Sequence, residues 1–66
     1  MRVFVNGDEK DLNARTSLAE LIEQLDLPAV RIAIELNREV VRRSDWGGTM
    51  LKDEDRIEIV HFVGGG

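Results

Sequence analysis

Three segments of the chain alternate between inward apolar and outward positions with a period of two: residues 1–5, 31–36 and 56–62. Such alternation is typical of β-strands that bury one face. Asn6-Gly7 follows the first segment and suits a two-residue hairpin turn, because both residues accept positive φ angles. The pattern predicts a first hairpin whose returning arm is the short, polar segment 9–12.

A helical pattern occupies residues 16–25. Apolar side chains recur at the i, i+3, i+4 and i+7 positions of one face: Leu18, Leu21, Ile22 and Leu25. Ser17 followed by Glu20 is a candidate capping box, with Thr16 as the alternative N-cap, and the helix must end before Pro28. These residues predict one amphipathic helix of about three turns.

The second half of the chain predicts a second hairpin, formed by residues 31–36 and a short returning arm at residues 40–41. Residues 42–50 are too irregular for a strand. We expect them to cross the sheet surface, with Trp46 and Leu51 packed beneath them.

The predicted element order is β-β-α-β-β-β. The amphipathic helix has to bury its apolar stripe against one face of a single sheet, so we expect an α+β fold with four or five strands. The strand residues expected beneath the helix are Met1, Val3, Val5, Leu12, Ile32, Ile34, Ile57 and Ile59.

Alternation places Phe4, Val60 and Phe62 on the opposite, open face of the sheet. An apolar cluster there would be available to a partner. Single exposed apolar residues are also ordinary, so alternation alone favours a partner surface and an ordinary surface equally.

Composition narrows the range of partners. The chain has 66 residues, 42% hydrophobic and 33% charged, which suits one small domain. A net charge of −4 has the wrong sign for binding nucleic acid through its phosphates. The sequence contains no apolar segment of membrane-spanning length, and the absence of cysteine fits a reducing compartment. We expect a cytoplasmic protein with no nucleic-acid or membrane partner.

Side chains for catalysis and metal binding are sparse. There is no cysteine and a single histidine, His61, while Ser17 and Ser44 suit a helix cap and a turn. The acidic run at residues 53–55 lacks the spacing of a calcium-binding loop. We expect no enzyme active site of the chain's own, no bound cofactor and no metal site.

Three glycines, Gly64, Gly65 and Gly66, follow the last predicted strand directly. A segment without Cβ atoms can pass through a narrow channel, and an α-carboxylate on Gly66 would be ionised at neutral pH. It could then attack a phosphate of ATP that an enzyme brings to it. A flexible tail or an expression remnant would show the same glycines. We expect a domain at residues 1–63 and a flexible tail at residues 64–66.

The sequence resembles the ubiquitin-like β-grasp family and, within it, the sulfur carriers of thiamine biosynthesis, the ThiS family. The resemblance covers essentially the whole chain, and its last segment is the most specific. The segments that carry it are residues 3–7, 16–25, 34–37 and 40–41, Trp46, and residues 51–55 and 57–66. It implies a β-grasp fold with a mixed sheet and one helix on one face.

The resemblance also implies a reaction cycle at Gly66. A ThiF-type adenylating enzyme would use ATP to adenylate the Gly66 carboxylate. Sulfur from a persulfide, supplied by a donor such as a cysteine desulfurase, would then replace the adenylate. The resulting thiocarboxylate would give its sulfur to a ThiG-type thiazole synthase.

By matching position, Gly65 and Gly66 correspond to the family's terminal diglycine, and Gly64 extends it. The resemblance and the alternation together give the candidate partner contacts Phe62, Val63, Phe4 and Val60. Two alternatives stay open: a carrier like the small subunit of molybdopterin synthase, and a ubiquitin-like interaction module or modifier. A modifier would form conjugates with other proteins, whereas a sulfur carrier would form a thiocarboxylate.

Overall fold

The computed structural model describes residues 1–62, which follow the predicted β-β-α-β-β-β order. The elements within this range are β1 (Arg2–Val5), β2 (Asp8–Asp11), α1 (Leu18–Gln24), a 3₁₀ helix (Ala29–Arg31), β3 (Ile32–Leu36), β4 (Glu39–Val41), a second 3₁₀ helix (Arg43–Gly48) and β5 (Arg56–His61). The boundary expected between residues 63 and 64 lies outside the described range.

The described strands form one mixed sheet with the order β2-β1-β5-β3-β4. β1 and β5 are parallel, and the other neighbouring pairs are antiparallel. β5 therefore lies between the two hairpins, with β1 on one side and β3 on the other. The predicted α+β fold is confirmed, because α1 contributes its apolar side chains to a core on one face of this sheet.

The core contains the strand residues predicted to lie inward, with one exception. Those that are buried are Val3, Val5, Leu12, Ile32, Ile34, Ile57 and Ile59. The prediction that Met1 belongs to the buried core is wrong. Met1 is only partly buried and packs against the core from outside. Its ammonium group donates a hydrogen bond to the Leu12 carbonyl at 2.7 Å, which places the first residue at the sheet's margin.

Trp46 and Leu51 are both 4% exposed, as predicted for the residues beneath the crossing segment. That segment contains a 3₁₀ helix, Arg43–Gly48, where only an irregular course was expected. The indole Nε1 of Trp46 donates to the Val41 carbonyl at 2.9 Å. This bond satisfies the polar atom of an otherwise buried ring and ties the crossing segment to β4.

Helix α1 has the predicted capping box. Ser17 Oγ accepts from the Glu20 amide at 3.1 Å, and a Glu20 carboxylate oxygen accepts from the Ser17 amide at 2.9 Å. The helix is shorter than the predicted 16–25, because Ser17 is extended and forms a β-bridge with Met50. At the other end Asp26 has a φ of 56°, so the chain leaves the helix before Pro28.

Several strand limits also differ from the prediction by one residue. β2 runs from Asp8 to Asp11 rather than over 9–12, β3 begins at Ile32, and β5 ends at His61. The second hairpin turn is also one residue shorter than the predicted turn at residues 37–39, because Glu39 already pairs with Leu36 in β4. Its two residues, Asn37 and Arg38, have positive φ angles of 51° and 72°, which is an uncommon conformation for an arginine.

The two hairpins offer a direct test of this turn. Gly7 has a φ of 87° in the first hairpin, whereas the second has Arg38 at its second turn position. We expect Arg38→Gly to raise the free energy of unfolding by about 1 kcal/mol, a rise in Tm of about 4–8 °C. The control Gly7→Ala should lower Tm, because a Cβ atom is disfavoured at that φ. Thermal melts of both variants decide this, and an unchanged or lower Tm for Arg38→Gly would contradict it.

Candidate functional site

β5 carries the chain toward the terminal glycines from the centre of the sheet. Beyond its last paired residue, the Phe62 amide still donates a hydrogen bond to the Arg31 carbonyl at 2.8 Å. The backbone is thus attached to the sheet up to Phe62. The candidate residues Val63, Gly64, Gly65 and Gly66 lie outside the described residues.

Asn6 fixes β5 from the β1 side, just beyond the pairing of the two strands. Its backbone amide donates to the Ile57 carbonyl at 2.8 Å. Its side-chain oxygen accepts from the Ile59 amide at 2.7 Å, and its side-chain nitrogen donates to the Ile59 carbonyl at 3.3 Å. Asn6, a turn residue in the left-handed conformation, thereby extends the hydrogen bonding to β5 beyond the end of β1.

Asn37 does the equivalent on the β3 side. Its backbone amide donates to the Arg56 carbonyl at 2.8 Å, and its side-chain oxygen accepts from the Arg56 amide at 2.9 Å. Its side-chain nitrogen donates to the buried Asp55 carboxylate at 2.9 Å. That carboxylate also accepts from the Lys52 amide at 2.7 Å, which closes the turn before β5. Two turn asparagines therefore hold β5 from opposite sides.

Phe4 lies on the open face of the sheet, as predicted, but it is half-buried. In register it stands between Glu9 on β2 and Arg56 on β5. The Arg56 and Arg2 guanidinium carbons lie 4.7 and 5.5 Å from the centre of the Phe4 ring. These distances suit cation–π contacts, so a partner at this end of the face meets arginine as well as the ring.

Val60 and Phe62 lie on the same face at the opposite end of β5, and 55% and 57% of their surfaces are exposed. Val60 stands opposite Ala33 in register. On β4, Val40 is 73% exposed and shares this face, because it stands opposite the outward residue Glu35. We call Val60 and Phe62 the apolar end of the open face, whereas Val40 lies level with Glu35 and Glu58, nearer its middle. The sequence identified Val60 and Phe62, and strand alternation of β4 could have found Val40.

The family model for ThiS matches residues 3–66. The chain belongs to the ThiS family. Its fold matches the crystal structure of the thiamine biosynthesis protein ThiS from Geobacter metallireducens with a TM-score of 0.87 and full coverage of both chains. The two sequences are 33% identical. The ubiquitin-like β-grasp fold and the family resemblance noted in the sequence are thereby confirmed.

Two relatives show how chains of different length share this segment. The sulfur carrier protein ThiS of Escherichia coli is 29% identical over 66 residues, all of both chains. A thiazole synthase of Magnetococcus marinus is 38% identical over 66 residues, which are 20% of its length. This ThiS-family chain therefore spans about a fifth of the thiazole synthases it matches.

The ion pairs found among residues 1–62 gather at the Phe4 end of the face. Arg2 lies 2.7 Å from Glu54 and 3.8 Å from Glu9, and the N-terminal ammonium lies 3.5 Å from Asp11. The hydrogen bond to Glu54, together with the charges of Glu54 and Glu9, raises the pKa of Arg2 above its ordinary value. These carboxylates hold the charged Arg2 side chain beside Phe4.

Two further searches covered the described part of this ThiS-family chain. No three His, Cys, Asp or Glu side chains among residues 1–62 come together as a metal-binding group. Over the same range, no helix has the length and apolar character needed to cross a membrane.

The role of Asn6 can be tested by removing its side chain without disturbing its positive φ angle. We expect Asn6→Gly to lower the free energy of unfolding by about 1–2 kcal/mol, because two hydrogen bonds to Ile59 are lost. Asn6→Asp keeps the acceptor and should lose less. Urea denaturation measures the stability, and amide hydrogen exchange at Ile59 should accelerate most in the glycine variant. Wild-type stability and exchange in that variant would disprove the role.

Proposed function

We propose that this chain is a cytoplasmic sulfur carrier of thiamine biosynthesis whose reactive group is the α-carboxylate of Gly66. The observation that carries the proposal is the ThiS-family match, which runs through residue 66 and includes the three glycines. The full-length likeness to the E. coli sulfur carrier protein ThiS supports it. The chain would be a co-substrate of partner enzymes rather than an enzyme itself.

The proposed cycle has an activation step and a sulfur step. In activation, a carboxylate oxygen of Gly66 attacks the α-phosphorus of ATP on a ThiF-type enzyme, and pyrophosphate leaves. A persulfide sulfur, from a donor such as a cysteine desulfurase, then attacks the acyl carbon and AMP leaves. A thiol reduces the resulting acyl disulfide and frees the thiocarboxylate. Because Gly66 has no Cβ, the acyl carbon is open to the incoming sulfur.

The position of Phe62 limits where the activating site can lie. Phe62 is the last residue that the structure describes, and it is bonded to the sheet through its amide, with four residues, 63–66, after it. Even fully extended, four residues span at most about 14 Å. A partner that acts on Gly66 must therefore bind the carrier with its reaction centre within that distance of Phe62, which favours contacts at the apolar end of the open face.

We propose that Phe62, Val63 and Val60 are partner contacts for this reason, and that Phe4 is a further contact at the other end of the same face. Aromatic side chains such as phenylalanine are enriched at protein interfaces, and the contacts around such an anchor exclude water from it. We further propose a thiazole synthase as the sulfur acceptor. The thiazole synthases that contain a matching segment support this partner, since one chain holding both parts would keep them at a high effective concentration.

Intact mass spectrometry tests the carrier function. After incubation with ATP, a ThiF-type enzyme and a persulfide source, we expect the mass gain of one oxygen exchanged for one sulfur, localised to Gly66. Deletion of Gly66 should abolish the gain and leave Tm nearly unchanged, because a terminal glycine buries little surface.

An activating enzyme that modifies a known carrier but not this chain would refute the sulfur-carrier function. Conjugates with lysines of other proteins would instead support a ubiquitin-like modifier. Sulfur delivery to a molybdopterin synthase, and not to a thiazole synthase, would support the other carrier branch.

A variant and a matched control test the proposed docking face. We expect Phe62→Ala to raise the KM of the activating enzyme for the carrier about tenfold, because an exposed aromatic anchor is lost. Tm should move by less than about 4 °C, since more than half of the Phe62 surface is exposed at 57%. Met50→Ala is the control, because Met50 is 47% exposed but pairs with Ser17 at the start of α1, away from the open face. Equal KM values for both variants would argue against this docking face.

A further inference from the structure

Two carboxylates face each other at the middle of the open face. Glu35 on β3 and Glu58 on β5 are directly opposite in the antiparallel register, and both are exposed. Their strand neighbours Ile34, Ile57 and Ile59 point into the core, so both carboxylates stand on the side away from α1. Like charges directly opposite each other on adjacent strands destabilise a sheet.

Among residues 1–62, neither Glu35 nor Glu58 forms an ion pair with a nearby cationic side chain. Every ion pair found in that range involves Arg2 or the N-terminal ammonium group. Arg56 and Arg38 line the same shallow recess as the two glutamates. The Arg56 guanidinium, however, is placed over the Phe4 ring at 4.7 Å. Neither Arg38 nor Arg56 forms an ion pair with Glu35 or Glu58 among the described residues, so both carboxylates can accept a further donor.

Exposed apolar residues flank the carboxylates. Val40 stands opposite Glu35 on the next strand, and Val60 follows Glu58 on the same face of β5. Val40 and Val60 are 73% and 55% exposed. A partner that covers these valines would also remove water from the carboxylates, which then require a positive charge to remain ionised at low cost.

We propose that Glu35 and Glu58 together receive one arginine side chain of the protein that docks on the open face, an arginine surrounded by apolar residues. Opposite residues of an antiparallel pair have Cβ atoms about 5 Å apart, and a guanidinium has five donors in a planar fork, so one arginine reaches both carboxylates. The proposal rests on the proposed function and adds the chemistry of the partner's surface. It explains why the free carrier retains a destabilising pair.

The test uses the full-length chain with a ThiF-type enzyme and ATP, and it measures both adenylation kinetics and Tm. The variants are Glu35→Gln, Glu58→Gln and the double variant. We expect the double variant to raise KM about tenfold, because charge-assisted hydrogen bonds are lost, with little change in kcat. Its Tm should equal or exceed that of the wild type, because the like-charge contact is gone. Added salt should weaken wild-type binding more than that of the double variant.

Two controls separate this site from net charge and from general damage. Glu23→Gln with Asp26→Asn removes the same charge from the exposed side of α1 and the residues after it, and it should leave KM unchanged. Glu58→Asp keeps the carboxylate and should remain close to the wild type. A loss of binding in Glu58→Asp as large as that in Glu58→Gln would overturn the proposal.

Three other results would also overturn it. The first is a double variant with wild-type KM while the wild type is adenylated normally, which leaves the proposed function standing. The second is a Tm below that of the wild type, which contradicts the like-charge argument. The third is a wild-type dimer that dissociates in the double variant, measured by sedimentation, since the occupant of the face would then be a second copy. If the wild type is not adenylated at all, the proposed function fails and this inference fails with it.

Discussion

The parallel pairing of β1 with β5 joins segments from opposite ends of the described chain, with Phe4 beside Arg56 and Val5 beside Ile57. It makes one sheet of two hairpins that are otherwise separate along the sequence. A single sheet is what gives α1 a continuous apolar face to cover. The backbone contact is short, and Asn6 extends it with side-chain hydrogen bonds to Ile59.

In this arrangement β5 contributes to both faces of the sheet. On its inner side Ile57 and Ile59 belong to the core, so the strand is anchored by packing as well as by its neighbours. On its outer side Glu58 and Val60 belong to the face that we assign to partners. The same strand leads directly into the segment that ends in the glycines. Packing and the proposed recognition and delivery of the Gly66 carboxylate are thus connected through one strand.

Local signals predicted much of this fold, and long-range contacts account for what was missed. The capping box of Ser17 and Glu20, the Asn6-Gly7 turn and the inward strand residues all follow from spacing and residue type. The bonds from Asn6 to Ile59 and the Arg56 guanidinium over Phe4 join residues about fifty positions apart. The strand order likewise depends on adjacency that no local pattern encodes. The outward positions of Phe62 and Val60 followed from alternation, but the pairing of Glu35 with Glu58 next to Val60 required the register.

The central place of the last described strand has a consequence for biosynthesis. During translation β1, β2, α1, β3 and β4 all leave the ribosome before β5, yet the two hairpins can be joined only by β5. The nascent chain therefore cannot complete its sheet until synthesis has passed residue 61 and that stretch has cleared the exit tunnel. Chains interrupted earlier lack the strand that closes the core, so their exposed apolar side chains leave them open to proteolysis.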